Sequence, residues 1–288
     1  MNKLTLSNGW EKIDLIIQKN KIILGQNILQ KFKIKQILKE YFNGIDSEYR
    51  KENDIASIIK LDGEQLQLKR TGYYEVNDNY SITDDCKLGT KSILLKYFET
   101  ILDDSILFDS INTIDILFES LANDLSENSI INTQFSKMTT KQLCKLIKPT
   151  YCEDYQKDEF DMTYEEIIIL QLSLIEIIQN KSLHENSIVL VDIPYITDTI
   201  YKKINDIRNA FIIVLTNNYV NSINMEEIAL FENEMIDLAD QYYIYELFGE
   251  IYGTRKTIGE VYEMIRKFII TKYTYVTVDF VKQIELFL

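Results

Sequence analysis

Two continuous apolar runs separated by a helical segment constrain this chain more than any other feature. Ser187 to Ile193 reads Ser-Ile-Val-Leu-Val-Asp-Ile, and Phe211 to Thr216 reads Phe-Ile-Ile-Val-Leu-Thr. Neither run alternates apolar with polar residues, as strands covered on both faces do not. Thr197 to Ile207, between them, reads as a helix. Strand, helix and strand in that order form a βαβ unit with parallel strands and a right-handed crossover. The fold class is therefore α/β.

The flanking sequence fits a larger α/β assembly interrupted by helices. In the first third, Ile13 to Ile17 and Lys21 to Leu24 are apolar runs across a Gln-Lys-Asn turn. Ile55 to Leu61 and Gln65 to Leu68 flank Asp62-Gly63, a hairpin signal. Tyr73 to Val76 is a further strand, and a helix from about Gln30 to Tyr41 carries Lys31, Lys33, Lys35 and Lys39. The middle third is helical, with segments at Thr90 to Asp103, Ser110 to Asn123 and Thr163 to Asn180. Thr163-Tyr164-Glu165-Glu166 has the form of a capping box. Ile167 to Ile178 is apolar nearly all round and is expected to lie buried between other helices. Beyond the βαβ unit, Met225 to Phe248 and Ile258 to Ile270 read as helices and Tyr273 to Phe280 as an edge strand. The expected organisation is a head over 1–95, a helical leg inserted over 96–182, and the rest of the head over 183–288.

Charge narrows the function. The net charge is −14, yet residues 132 to 150 contain Lys137, Lys141, Lys145 and Lys148 and no acid. Their spacing of 4, 4 and 3 places all four within an arc of roughly 80° on a helix. Thr139 or Thr140 is a candidate N-cap that would leave Lys137 outside that helix, and Pro149 stops it by disfavouring helical geometry at Lys148. Leu143, Leu146 and Ile147 fall opposite them. The flanks sharpen the contrast: Tyr97 to Ile131 holds eight acids and no base, and Tyr151 to Leu170 seven acids against Lys157. Positive charge confined to one face suits a polyanion, because binding follows the local field rather than the average. A solvated helix face, or a stripe that docks a protein partner, carries the same pattern.

Other chemistry is poorly supplied. Cys86, Cys144 and Cys152 lack metal-ligand spacing and read as reduced thiols of a cytoplasmic protein. The single His184 leaves no partner for a zinc site or a histidine-based triad. No segment is long and apolar enough for a membrane span, so no membrane partner is expected. Gly89-Thr90-Lys91-Ser92, with Asp192 ending a buried strand, suggests a phosphate loop and a magnesium-holding aspartate. The phosphate-loop pattern anchored on Lys91 and Ser92 needs glycines where Asp85 and Thr90 stand, and an acid at the first of these repels phosphate. A nucleotide-binding protein using Lys91, Ser92 and Asp192 remains the alternative. The densest acids, Glu153, Asp154, Asp158, Glu159, Asp161, Glu165 and Glu166, suit a hard cation with oxygen ligands, or simply a helix N-terminus.

Three segments taken in order resemble one family. They are the lysine segment with Pro149, the run Asp158-Glu159-Phe160-Asp161-Met162-Thr163-Tyr164-Glu165-Glu166-Ile167-Ile168, and the βαβ unit from Ser187 to Leu215. Together they resemble the non-nuclease adaptation protein of type II-A CRISPR systems, the Csn-two family in its longer form. The resemblance implies an α/β head related to phosphate-loop NTPases without a working nucleotide motif, and an inserted helical leg. It implies no enzymatic activity and no nucleotide cofactor. It implies instead a homotetrameric ring that encloses linear double-stranded DNA, binds its ends and serves spacer acquisition in antiviral defence, beside the CRISPR integrase and effector. In that reading Lys137, Lys141, Lys145 and Lys148 contact phosphates, with Lys87 and Lys91 as further contacts. Calcium supports the ring in shorter relatives, through acids matched here by Glu159, Asp161, Glu165 and Glu166; Thr163 stands where those relatives carry another acid. The part after about Tyr242 is longer than in the short forms.

Overall fold

The computed structural model describes residues 1–9, 11–44, 56–127, 130–150, 159–182, 184, 186–252 and 256–274. Strands β1 (Asn2–Ser7) and β2 (Lys12–Ile17) form an antiparallel pair, and β3 (Asn20–Leu24) follows after two residues. The two runs across the Gln-Lys-Asn turn do not pair with each other: β2 joins β1, whereas β3 enters a different sheet. Burial explains the split. β2 alternates buried and partly exposed residues and suits a one-sided sheet, whereas all five residues of β3 are buried. Helix α1 (Ile28–Asn43) is capped by Asn27, whose side chain accepts from the Gln30 N–H, and it ends at Gly44 in the left-handed region. β4 (Ile58–Leu61) and β5 (Glu64–Gln65) make the expected hairpin. Asp62 and Gly63 both take positive φ, +51° and +88°, as a two-residue primed turn requires. β6 (Thr71–Asn77) completes this part.

A helical segment follows: α2 (Ile82–Asp85), α3 (Ile93–Leu102), α4 (Phe108–Ser126), α5 (Thr140–Cys144) and α6 (Tyr164–Lys181). The capping box at Thr163 and Glu166 is formed as the sequence predicts. α6 is not buried all round, however. Its buried residues Ile168, Gln171, Leu172, Ile175, Ile178 and Gln179 form a single stripe, while Ile177 on another face is exposed. α3 packs against both α5 and α6.

The chain then returns to α/β with β7 (Asn186–Asp192), α7 (Asp198–Asp206) and β8 (Phe211–Thr216), the predicted βαβ unit with parallel strands. The helix expected from Met225 to Phe248 is replaced by a 3-10 turn, β9 (Ile228–Phe231), β10 (Met235–Asp237) and only then α8 (Gln241–Tyr252). Ile228, Ala229, Leu230 and Phe231 are all buried, and β9 is taken into the sheet beside β3, a long-range pairing that local periodicity does not record. α9 (Ile258–Tyr273) also starts in a capping box, Thr257 with Glu260. Tyr273 belongs to this helix and Thr274 is its C-cap, and the rest of the strand expected to Phe280 lies outside the described residues.

The larger sheet has the order β10-β9-β3-β8-β7-β6, with β10 antiparallel and the other five strands parallel. The smaller one, β2-β1-β4-β5, is antiparallel. One core joins the inward residues Leu4, Leu6 and Leu15 of the small sheet, Ile34 and Leu38 of α1, and Ile188, Ile213 and Phe231 of the large one. The chain divides into two compact units, one of 1–77, 185–206 and 210–288, the other of 78–184 and 207–209. Both sheets belong to the first unit and α2 to α6 to the second.

Candidate nucleic-acid interface

The four lysines of residues 132 to 150 do not share one long helix. α5 holds only five residues, because Thr139 caps it in a capping box with Gln142 and the helix ends at Lys145. Lys137 therefore precedes the helix and Lys148 follows it, and the continuous stripe expected from 3.6-residue periodicity is corrected to a short helix with lysine-bearing flanks. Four like charges at i,i+4 disfavour a longer helix, and Pro149 disfavours helical geometry at Lys148. Cys144 is fully buried and anchors α5, whereas Leu146, expected to face inward, is 66% exposed. Lys137, Lys141, Lys145 and Lys148 are all exposed. Lys137 lies 3.7 Å from Asp115, while Lys141, Lys145 and Lys148 make no ion pair among the described residues. Lys87 pairs with Asp84 at 2.5 Å, and Lys91 is exposed. All six lysines belong to the second unit. That unit carries 9 lysines against 19 acids from Asp78 to His184, so these side chains are local exceptions to a negative surround.

The acids singled out for a cation are drawn to helix N-termini. Glu159 accepts from the Ile82 N–H at 2.7 Å, the Thr83 N–H at 3.2 Å and the Thr83 hydroxyl. Burial raises its pKa, but these bonds and one from Ser81 outweigh burial and leave it lowered. Glu166 accepts from the Thr163 N–H and hydroxyl at 2.8 and 2.9 Å. Asp161 ends a 3-10 turn and Glu165 lies in the first turn of α6. Among the described residues no three acids, histidines or cysteines gather closely enough to hold a metal ion. The described residues do not by themselves form a calcium site. Glu153, Asp154, Asp158 and Cys152 lie outside the described residues; Cys86 and Cys144 are free thiols.

The nucleotide alternative is rearranged by the fold. Asp192 ends β7 in the first unit, whereas Lys91 and Ser92 belong to the second. Ser92 caps α3, and the Asp85 carboxylate accepts from the Ile93 and Leu94 N–H groups at 3.1 and 2.9 Å and from the Tyr80 hydroxyl at 2.7 Å. The helix terminus that a phosphate loop would offer to an anion already holds the chain's own carboxylate. Ligands of parallel α/β sheets bind at the carboxyl ends of the strands. Here the central strand β3 leads into α1 through only Gly25, Gln26 and Asn27. Gly25 has φ +137°, and a Cβ on it would lie 2.1 Å from the Phe231 carbonyl oxygen. The loop is thus pinned against the end of β9, where the Asn27 N–H bonds the same carbonyl.

The rim of strand ends is closed by a ladder of lysines from α1 that sequence reasoning did not assign. Lys31 donates to the Thr216 carbonyl at 2.5 Å and to Asn217 Oδ1 at 2.8 Å, Lys35 pairs with Asp192 at 2.8 Å, and Lys39 with Glu75 at 2.9 Å. The i,i+4,i+8 spacing of these residues in the helix after the first buried strand was the available signal. Burial lowers the Lys31 pKa to about 8, against the favourable fields of Asp192 and Glu232. No helix among the described residues is long and apolar enough to cross a membrane.

No family model matches this sequence, and no curated protein matches it. A solved structure does. The fold is similar to the crystal structure of Stu0660 of Streptococcus thermophilus, with a TM-score of 0.59 over 91% of this chain and 84% of that chain. The sequences are 16% identical, so the likeness is one of fold.

Proposed function

We propose that this chain is a non-catalytic, sequence-independent double-stranded-DNA-binding protein that holds DNA ends in a homotetrameric ring during CRISPR spacer acquisition in the cytoplasm, beside the integrase and effector. One observation carries the DNA contact: Lys141, Lys145 and Lys148 are exposed and unpaired among the described residues of a strongly acidic unit. A lysine with no acid beside it is available to phosphate, and the acidic surround keeps nucleic acid off other faces. The ring and the pathway rest on the family resemblance, with the fold likeness to Stu0660 in support. In a tetramer about sixteen lysines from this segment would meet one duplex, which carries about one charge per 1.7 Å of axis. Backbone contacts of this kind position a protein on DNA without reading bases.

The nucleotide reading is weaker. Lys35 holds Asp192, Asp85 fills the α3 terminus, and the three-residue loop at Gly25 is too short to wrap a phosphate. No step of the proposal runs through calcium, because the described acids do not gather into a site.

The test is gel-shift binding of a linear duplex and a closed circle of the same sequence across a salt series, with and without calcium. Binding of the linear form that salt weakens steeply, with no competition from the circle, is the expected result. Failure of both forms to bind at low salt in either condition overturns the proposal.

A further inference from the structure

Among the described residues, α8 places an unmatched aromatic and acidic face on the first unit. Taking about 100° per residue, Tyr245, Gly249, Tyr242, Glu246, Glu250 and Tyr243 follow one another across an arc of about 160°. All six are exposed, and Ile244, on the opposite side, is fully buried. The helix is thus seated by its apolar side and turns three tyrosine rings and two glutamates outward. Tyr242 is 75% exposed. Glu246 and Glu250 stand at i,i+4, a like-charge pair that opposes the helix carrying it. Neither makes an ion pair among the described residues. Two other acids of this region are matched: Lys21 holds Asp237 and Lys272 holds Glu232.

The sequence between Arg208 and Arg255, which contains α8, has the same sign. From Asn209 to Thr254 there are eight acids and no lysine, arginine or histidine. At the start of α8 an open cleft is lined by Glu226, Gln241 and Tyr262, among others, so acid and aromatic groups continue past the helix. Such a surface repels nucleic acid. Aromatic faces and carboxylates together are what a guanidinium or ammonium group recognises, the ring by its quadrupole and the acid by its charge. We infer that this face of α8 is a docking surface for a basic, arginine-rich segment of a protein partner, separate from the DNA-contacting lysines. Charge complementarity selects that occupant: a second copy of this acidic face would bring Glu246 and Glu250 against like charge.

The experiment is fluorescence-anisotropy titration of the full chain with a labelled synthetic helical peptide rich in arginine. Tyr242→Ala with Tyr243→Ala, and separately Glu246→Gln with Glu250→Gln, are each expected to weaken binding about tenfold or more, as interface anchors do. Asp109→Asn with Glu119→Gln removes equal charge from α4 and is expected to change it less than about twofold. Circular dichroism establishes that each variant is folded, and linear-DNA affinity is expected to be unchanged by the tyrosine variants. Equal weakening by the α4 variants would reduce the effect to net charge and overturn the inference. So would absence of peptide binding, or self-association of the wild type in sedimentation that the tyrosine variants abolish.

Discussion

Lys31 leads the α1 ladder into the interior, and its burial has a consequence in pH. The folded protein releases this proton near pH 8, the unfolded chain near 10.5. Between those values the unfolded state binds more protons, so this group makes stability rise with pH from about 8 to 10.5, by an amount of the order of 3 kcal/mol. Urea unfolding at pH 7.5 and 9.5 is expected to show a larger rise in the wild type than in Lys31→Met, because burial lowers the Lys21 pKa as well and that contribution is common to both. Lys21 is the contrasting case. It is fully buried and pairs with Asp237 at 2.6 Å, while Asp237 also accepts from the Ile16 and Ala239 N–H groups. Asp237→Ala leaves the buried ammonium without a carboxylate, holding the Glu226 carbonyl at 3.2 Å, and two backbone donors unmatched, and a loss of about 3–5 kcal/mol is expected. Lys21→Met with Asp237→Asn removes the charges but keeps an acceptor, and is expected to recover most of that loss in the same denaturation measurement.

At the level of elements, ends decide more than middles. α6 and α9 begin in capping boxes whose Thr-x-x-Glu pattern is local, and both start where the sequence places them. α3 is different, because its N-terminus is closed by Asp85 from eight residues before Ile93, folded back by the α2 turn. Asp85→Ala frees two helix N–H groups and the Tyr80 hydroxyl, and is expected to lower stability by about 2 kcal/mol, seen as a lower midpoint in thermal unfolding. Asp85→Asn keeps one acceptor and is expected to cost about half as much. α5 shows the opposite outcome. Its lysine periodicity reads as a long helix, but the Thr139 capping box and Pro149 confine the segment, and side-chain repulsion does the rest.

For the whole molecule, charge is distributed by role: a negative average, exposed Lys137, Lys141, Lys145 and Lys148 in the helical unit, and a base-free stretch of sequence over 209–254 that includes α8. Replacing Lys141 and Lys145 with Glu is expected to abolish duplex binding with the fold intact. Each lysine-to-alanine change is expected to lower the slope of log K against log salt by about 0.9 for every phosphate it leaves without a cation. Unchanged affinity in a filter-binding salt series would remove these residues from the interface. The sequence by itself determined what depends on neighbours along the chain: the βαβ runs at Ser187 and Phe211, the Asp62-Gly63 hairpin, the caps at Thr139 and Thr163, and the segregation of lysine from acid. Period, turn chemistry and local charge are written in a few adjacent residues. Only the tertiary structure decided what depends on residues far apart. It took Ile228–Phe231 out of a helix to flank β3, sent β2 and β3 into separate sheets, and laid Lys31, Lys35 and Lys39 across the strand ends. Those outcomes follow from which buried surfaces meet and which charges must then be matched, and no local window of the sequence contains both partners.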